Sequence, residues 1–300
     1  MELRQRPVLA LGLRLIAAFM IATMFMAGKL ANASGVALPE IMFWRQAVAL
    51  PILLGYLGAT GGLTRLRTRR IGSHAKRAGM GMTGMFCNFA AVTLLPLAES
   101  TTLNFAAPLF AVVIASLILR DHVGPWRWTA VMFGFAGILV ITQPGHAHLP
   151  LLGAIAGLVS ALLNATISFQ IRDLGRTEGS VTVVFYFALF GTALMAPLLP
   201  FFITPHSGQQ WLLLVLVGVT GTVGQLFMTA ALRLGSVASV IVMDYSQIIW
   251  ATLYGWLVWH YLPASSTWIG MPLVVAAGLV IAWREHFLAR SYAVTPADNE

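Results

Sequence analysis

Between Ala90 and Val123 the chain reads AAVTLLPLAESTTLNFAAPLFAVVIASLILRDHV, and between Thr229 and Leu262 it reads TAALRLGSVASVIVMDYSQIIWATLYGWLVWHYL. Laid over one another at a constant shift of 139 positions, the two stretches follow one plan. An apolar run meets a tight turn, with Pro96 over Gly235, and a second long apolar run ends at a charged or polar stop. Gly137 falls over Gly278 at a shift of 141, which needs only a two-residue loop insertion. Such internal similarity marks two copies of one structural unit.

Outward from these stretches, each copy holds five apolar runs. In the first they span about 9–29, 37–57, 78–97, 101–119 and 126–142; in the second, 151–171, 181–203, 211–232, 236–259 and 266–283. Each run approaches the ~20 residues that a helix rising 1.5 Å per residue needs to cross a hydrocarbon layer of ~30 Å. An odd number of crossings per copy forces the second copy to enter the membrane upside down. The expected fold is therefore all-α and integral to the membrane, with ten transmembrane helices in two inverted five-helix repeats: 1–143, 144–287, and a cytoplasmic tail over 288–300.

Composition agrees. With 58% hydrophobic and 9% charged residues, the 300-residue chain has more apolar surface than a soluble core hides. Trp126, Trp128, Trp211, Trp259, Trp268 and Trp283 fall at the ends of runs, where an amphipathic ring sits among headgroups. The net charge of +8 points to topology and not to nucleic acid. Sixteen of the 18 Lys and Arg lie in alternate connections or the adjoining helix turns: Arg4, Arg6, Arg14, Arg65, Arg67, Arg69, Arg70, Lys76, Arg77, Arg120, Arg127, Arg172, Arg176, Arg233, Arg284 and Arg290. The intervening connections, including 98–100, carry none. Basic connections stay cytoplasmic, which places both termini inside, at a cell inner membrane.

Arg4 and Arg6 ahead of an apolar run, with Ala31-Asn32-Ala33 behind it, have the look of a cleaved leader. The run is too long for one, and its removal would break the five-plus-five plan, so an uncleaved first helix is expected. The single cysteine, Cys87, excludes an internal disulfide. No phosphate-binding loop is present; His146 and His148 are too few ligands for a metal; Glu99-Ser100 has no histidine in a shared motif to activate the serine. No enzyme activity, cofactor or metal is expected.

Several pieces recur in order. The first copy has Pro96, Ala106-Ala107-Pro108-Leu109-Phe110-Ala111, Arg120-Asp121-His122 and Gly137-Ile138-Leu139-Val140. The second has Gly235, Tyr245-Ser246-Gln247-Ile248-Ile249-Trp250-Ala251, Trp259-His260-Tyr261 and Gly278-Leu279-Val280-Ile281. In this order they resemble the EamA-type ten-helix branch of the drug/metabolite transporter superfamily, and within it the bacterial aromatic amino-acid exporters. The resemblance implies export of small metabolites, amino acids prominent among them. Gln247 stands where the first copy has Pro108, and Asp244 where it has Phe105, so the copies diverge where a substrate would lie.

Polar groups at mid-membrane are costly and need a partner or a wet cavity. Four charged residues qualify: Lys29 and Glu40, near the outer ends of the first two helices and able to pair with each other; Arg45, two turns into the second; and Asp244, about eight residues along the ninth. Asp244 either faces the cavity to bind an ammonium or carry a proton, or forms a structural pair with Lys29 or Arg45. Small residues at helical spacing on the third, sixth and eighth helices suit close packing. Their larger polar companions Asn88, Asn164 and Gln225 are candidates for the cavity wall, as are the aromatic Phe86, Tyr186, Tyr245 and Trp250. The expected function is export of amino acids, broad and including aromatic and other apolar ones, by alternating access through a central cavity, with membrane lipids as surroundings. The alternative substrates are cationic or lipophilic drugs or other small metabolites. A channel is disfavoured by the lack of a ring of polar residues.

Overall fold

The computed structural model describes residues 7–118, 120, 124–143, 149–175, 177–234 and 243–294, and its regular structure is helical throughout. The first copy runs α1 (Pro7–Ala33), α2 (Leu38–Ala59), α3 (Ile71–Leu94), α4 (Leu97–Asn104), α5 (Ala107–Leu117) and α6 (Pro125–Thr142). The second runs α7 (Leu151–Leu174), α8 (Ser180–Met195), α9 (Leu199–Phe202), α10 (Gly208–Leu234), α11 (Ser246–Trp259) and α12 (Ser265–Val294). α4 with α5 forms one crossing, and α8 with α9 another, which gives five crossings per copy and ten in all. Eight are long and apolar enough to span a bilayer on those grounds alone. The other two are α3, which begins among cations, and α11, whose helix has 14 residues. Gly235, residues 236–242, His146, His148 and the tail from residue 295 lie outside the described residues.

Several boundaries differ from expectation; α3, for one, begins at Ile71 and not at 78. α4 begins directly after Pro96, so 98–100 is its first turn and not a connection. α12 continues past Trp283 to Val294, because Arg284–Val294 contains neither Gly nor Pro to stop it.

The fourth crossing is broken. Pro108 has no N–H for the carbonyl of Asn104, and the backbone tightens there: Ala106 N–H bonds Leu103 O at 3.1 Å. In the ninth crossing a 3₁₀ turn over Met243–Tyr245 leads into α11, where Gln247 stands in place of the proline. Asp244 lies within this 3₁₀ turn. The two segments touch where the rings of Phe105 and Tyr245 stand edge to face at 4.9 Å.

Packing between the copies repeats under exchange of the halves. α1 packs on α10 as α7 packs on α3, and α2 on α10 as α8 on α3. α2 meets α8, α4 meets α11 and α6 meets α12, each its own counterpart. This is the pattern a pseudo-two-fold axis through inverted repeats produces. Lipid supplies no hydrophobic drive between helices, so close contact depends on small residues. At the α6–α12 crossing, a Cβ on Gly137 would lie 2.8 Å from the carbonyl oxygen of Gly270. Large apolar side chains such as Phe201, Leu212 and Ile269 face outward, as a lipid solvent allows.

Candidate functional site

The apolar interior has two main parts, one among α4, α5, α6, α7 and α12 and one among α1, α2, α3, α8 and α10. The second carries the charge. A cavity of about 10 Å³, room for one water, is lined by Arg45, Gln46, Val184, Phe187, Gly221 and Gln225 among others. Arg45 donates from Nη2 to Gln225 Oε1 at 3.0 Å, from Nη1 to Gln46 Oε1 at 3.1 Å and from Nε to the sulfur of Met24 at 3.3 Å. Its guanidinium lies 5.7 Å from the Phe187 ring centre, and that of Arg77 lies 4.1 Å from the same ring. Gly221 makes this possible, since a Cβ there would stand 3.2 Å from Arg45 Nε and 2.8 Å from the Met24 sulfur.

Asp244 is bound in a different way from the expected pairs. Its two carboxylate oxygens accept from Nε and Nη2 of Arg14 on α1, and Arg14 Nη1 also donates to the Met228 carbonyl on α10 at 3.3 Å. The Arg14 side chain is 7% exposed and that of Asp244 29%. The partner is neither Lys29 nor Arg45: Lys29 donates to the carbonyls of Val92, at 2.8 Å, and Leu95, and Arg45 is held by amides. Lys29 and Glu40 do not pair with each other either. Glu40 is fully buried against His206 at 2.5 Å, and Trp44 Nε1 donates to it at 3.4 Å. The cause is directional: α1 and α2 turn these two side chains towards different neighbours, α3 in one case and the segment before α10 in the other.

A buried cationic cavity between inverted repeats suits a carrier. The model of the EamA-like transporter family matches the chain twice, over residues 8–143 and 151–283. The chain belongs to the EamA-like transporter family. Among its curated relatives is the pseudopaline exporter CntI of Pseudomonas aeruginosa, 30% identical over 244 residues that cover 81% of this chain and 85% of the relative. A riboflavin transporter of Vibrio cholerae is 28% identical and covers 80% and 81% respectively. An S-adenosylmethionine uptake transporter of Rickettsia prowazekii is 26% identical over 81% of each. One solved crystal structure superposes with a TM-score of 0.60 at 20% identity, over 89% of this chain and 96% of that one, which shows the shared fold. The protein is a membrane transporter of small metabolites.

In this EamA-like transporter the remaining candidates scatter. Gln225 lines the cationic cavity. Gln247 is half-buried in the first turn of α11. Trp250 packs edge to face on Phe19 at 4.9 Å, and Tyr245 presses its hydroxyl against Gly278. Asn164 donates to Asn104 Oδ1 at 2.8 Å, fastening α7 to α4, and Asn88 is half-buried on α3. Tyr186 is committed elsewhere: its hydroxyl donates to the Leu66 carbonyl at 2.7 Å and its ring lies on His74. Phe86, 45% exposed, borders an apolar groove of about 230 Å³ between α2, α3 and α8, separated from the cationic cavity by Met82.

Sequence reasoning missed several buried polar groups. Arg14 and Arg77 were expected to mark cytoplasmic ends, yet both are buried, at 6% and 4% exposure. Arg14 already falls inside the 9–29 run, a signal that it was more than a topology marker. Glu99 is fully buried and accepts from Thr267 Oγ1 at 3.2 Å, Tyr261 OH at 3.3 Å and Ala264 N–H at 3.4 Å, which joins α4 to the start of α12. Tyr261 lies outside the spans. Burial first, then the Glu99 charge and the hydrogen bond to it, raise its phenol above the usual range.

Proposed function

We propose that the protein exports amino acids and amino-acid-derived metabolites, aromatic ones among them, from the cytoplasm across a cell inner membrane. The observation that carries this reading is the placement of both signs of charge inside the bundle. The Arg45 guanidinium stands in the α2–α8–α10 cavity, and the Asp244 carboxylate stands in the 3₁₀ turn before α11. A zwitterion needs counter-groups for both of its ends. Arg45 with its amides suits the carboxylate, and Asp244 suits the ammonium once that ammonium displaces Arg14.

The cavity, at about 10 Å³, is far smaller than an amino acid, so loading requires α2 to separate from α8 and α10. Alternating access follows, with the two copies rocking about the site and solute shifting a balance between inward and outward forms. Export as the direction, and an inner membrane with both termini cytoplasmic, rest on the cations of alternate connections. Relatives named for pseudopaline, riboflavin and S-adenosylmethionine show that the family handles diverse polar metabolites. Cationic drugs suit this interior less, because they bring no anionic group to the positive wall that Arg45 gives the cavity.

The test is counterflow in proteoliposomes of the purified chain. Vesicles preloaded with one unlabelled amino acid should take up the labelled one transiently and saturably. Uptake that neither saturates nor shows counterflow would mark a channel, and counterflow confined to lipophilic cations would replace the amino-acid reading with the drug reading.

A further inference from the structure

Arg45 and Arg77 are both sealed inside the bundle, at 9% and 4% exposure, on different helices and against one ring. Their guanidiniums are no farther apart than their two distances to the Phe187 centre taken together. A guanidinium stays protonated in a protein, so two positive charges stand against one ring. Neither has a counter-charge among the described residues. Every acceptor of Arg45 is neutral: two amide oxygens and a thioether. Arg77 is barer still, since its Nε and Nη1 are buried without a hydrogen-bond partner.

The carboxylates of the bundle are occupied elsewhere. Asp244 holds Arg14, and Glu40 holds His206. Glu99 serves Tyr261 and Thr267, and Glu178 accepts the Thr68 hydroxyl at 2.6 Å with His74 at 4.0 Å. The Phe187 face attracts both cations but neutralises neither. Buried, unpaired charge is strongly unfavourable, and like charges side by side make it worse. Room for the guanidiniums is nonetheless built into the helices. A Cβ on Gly81 would lie 3.3 Å from Arg77 Nη1 and 2.8 Å from Phe187, as Gly221 does for Arg45.

We propose that Arg45 and Arg77, arranged around Phe187, form an oxyanion site that takes the carboxylate or phosphate of the transported solute. A guanidinium fork matches two oxygens of such a group at once, and Arg77 presents unused donors for it. The solute's negative group would then complete an interior that carries excess positive charge without it. The two arginines lie inside the helix cluster and not on its lipid-facing surface, which favours a solute over a lipid headgroup. The proposal rests on the transport reading and adds its substrate class: a solute must bring at least one anionic oxygen pair. Neutral amides of the same solutes should be poor cargo.

The experiment uses the purified full chain and matched pairs of probes: L-phenylalanine against L-phenylalaninamide, riboflavin 5′-phosphate against riboflavin, and citrate against its trimethyl ester. Thermal stabilisation in detergent reads binding, and counterflow in proteoliposomes reads transport. At least one member bearing a carboxylate or phosphate should stabilise the wild type, with its partner that lacks that group at least tenfold weaker. Arg77→Gln should raise the melting temperature of the ligand-free protein by a few degrees, because an uncompensated charge is gone, and should abolish the preference for the anion. Arg77→Lys, which keeps the charge but not the fork, should retain part of that preference.

The proposal is overturned if no anionic probe stabilises the wild type. It is equally overturned if Arg77→Gln and Arg45→Gln fold and keep the preference. Loss of stability in Arg77→Gln that Arg77→Lys repairs, with the preference unchanged in both, would make Arg77 a structural cation. Stabilisation that follows phosphatidylglycerol content and ignores soluble probes would assign the site to lipid. Binding without counterflow would sink the transport reading and leave the site standing. Counterflow that is indifferent to probe charge and to Arg77→Gln would sink the site alone.

Discussion

Asp244 and Arg14 join the two copies through a bidentate ion pair, between the 3₁₀ turn that leads into α11 and the third turn of α1. The pair lies in the half of the bundle where α10 ends and α1 begins, and Arg14 reaches α10 as well through the Met228 carbonyl. A single cation thus ties three helices together. Both groups would be expensive in isolation at this depth, so each holds the other in place.

Asp244→Asn should therefore destabilise the protein by about 3 kcal/mol, the low end for breaking a buried pair, because Asp244 keeps 29% exposure. Arg14→Gln combined with Asp244→Asn should recover most of that loss, giving a coupling energy of at least ~1 kcal/mol in the double-mutant cycle. Melting temperatures in detergent supply the cycle. Counterflow in the recovered double variant should stay slow if Asp244 meets the solute ammonium, and a parental rate would reduce the pair to a latch.

The ten crossings were legible because a bilayer imposes a length and an apolar composition on each helix, and a repeated plan shows through both. The break in the fourth crossing follows from Pro108, although 101–119 reads as one unbroken apolar run. Burial of charge was the poorly legible part. Arg14 and Arg77 obey the positive-inside pattern in sequence, and only the helices packed against them decide that they point inward. His206 gave no signal at all, since its value lies in meeting Glu40 from far along the chain. Gln225 could be found from its place on a stripe of small residues, and Tyr186 was misleading for the same kind of reason: an aromatic inside a span says nothing of which neighbour takes its hydroxyl.

The crossing of α6 over α12 depends on the absence of two side chains. A Cβ on Gly270 would stand 2.5 Å from the Gly137 carbonyl oxygen, and backbone cannot move aside as a side chain does. Gly137→Ala and Gly270→Ala should each cost about 1–3 kcal/mol through overpacking. Gly12→Ala on α1, where nothing lies within 4 Å, should be neutral or slightly stabilising. Equal melting temperatures for the three variants would show that the helices separate more readily than their packing implies.

The Tyr261 phenol is raised by burial and by Glu99, so its neutral form is favoured in the folded protein. A group raised in this way contributes stability that is present below its unfolded pKa of about 10 and fades as pH climbs through its folded value. Melting temperature should fall as pH rises past about 10 in the parent, and fall less in Tyr261→Phe, which has no proton to lose. Glu99→Gln should also flatten the profile, because it removes the neighbouring charge. Parallel pH profiles in all three proteins would remove Tyr261 from the alkaline transition.

Orientation follows from charge, and it decides whether the word exporter applies. In a Cys87→Ser background, cysteines at Ser34, Ser207 and Ala264 stand in exposed connections that lack Lys and Arg. Cysteines at Arg69 and Gly175 stand in exposed connections of the opposite set. An impermeant maleimide added to intact cells should label the first three and spare the other two until the membrane is opened. The set is self-checking, because Ser34 and Ser207 are brought to one end of the bundle by the bond from Gln210 Nε2 to the Ser34 carbonyl, at 2.8 Å, and by that from Ser207 N–H to Gln210 Oε1, at 2.8 Å. Those two must therefore label together. Arg69 and Gly175 must likewise agree, since Arg70 bonds the Asp173 carboxylate and carbonyl at the other end. Labelling of Arg69 and Gly175 alone from outside would keep the fold intact and invert it in the membrane. The oxyanion site would then load from the outer face, and the physiological direction would become uptake.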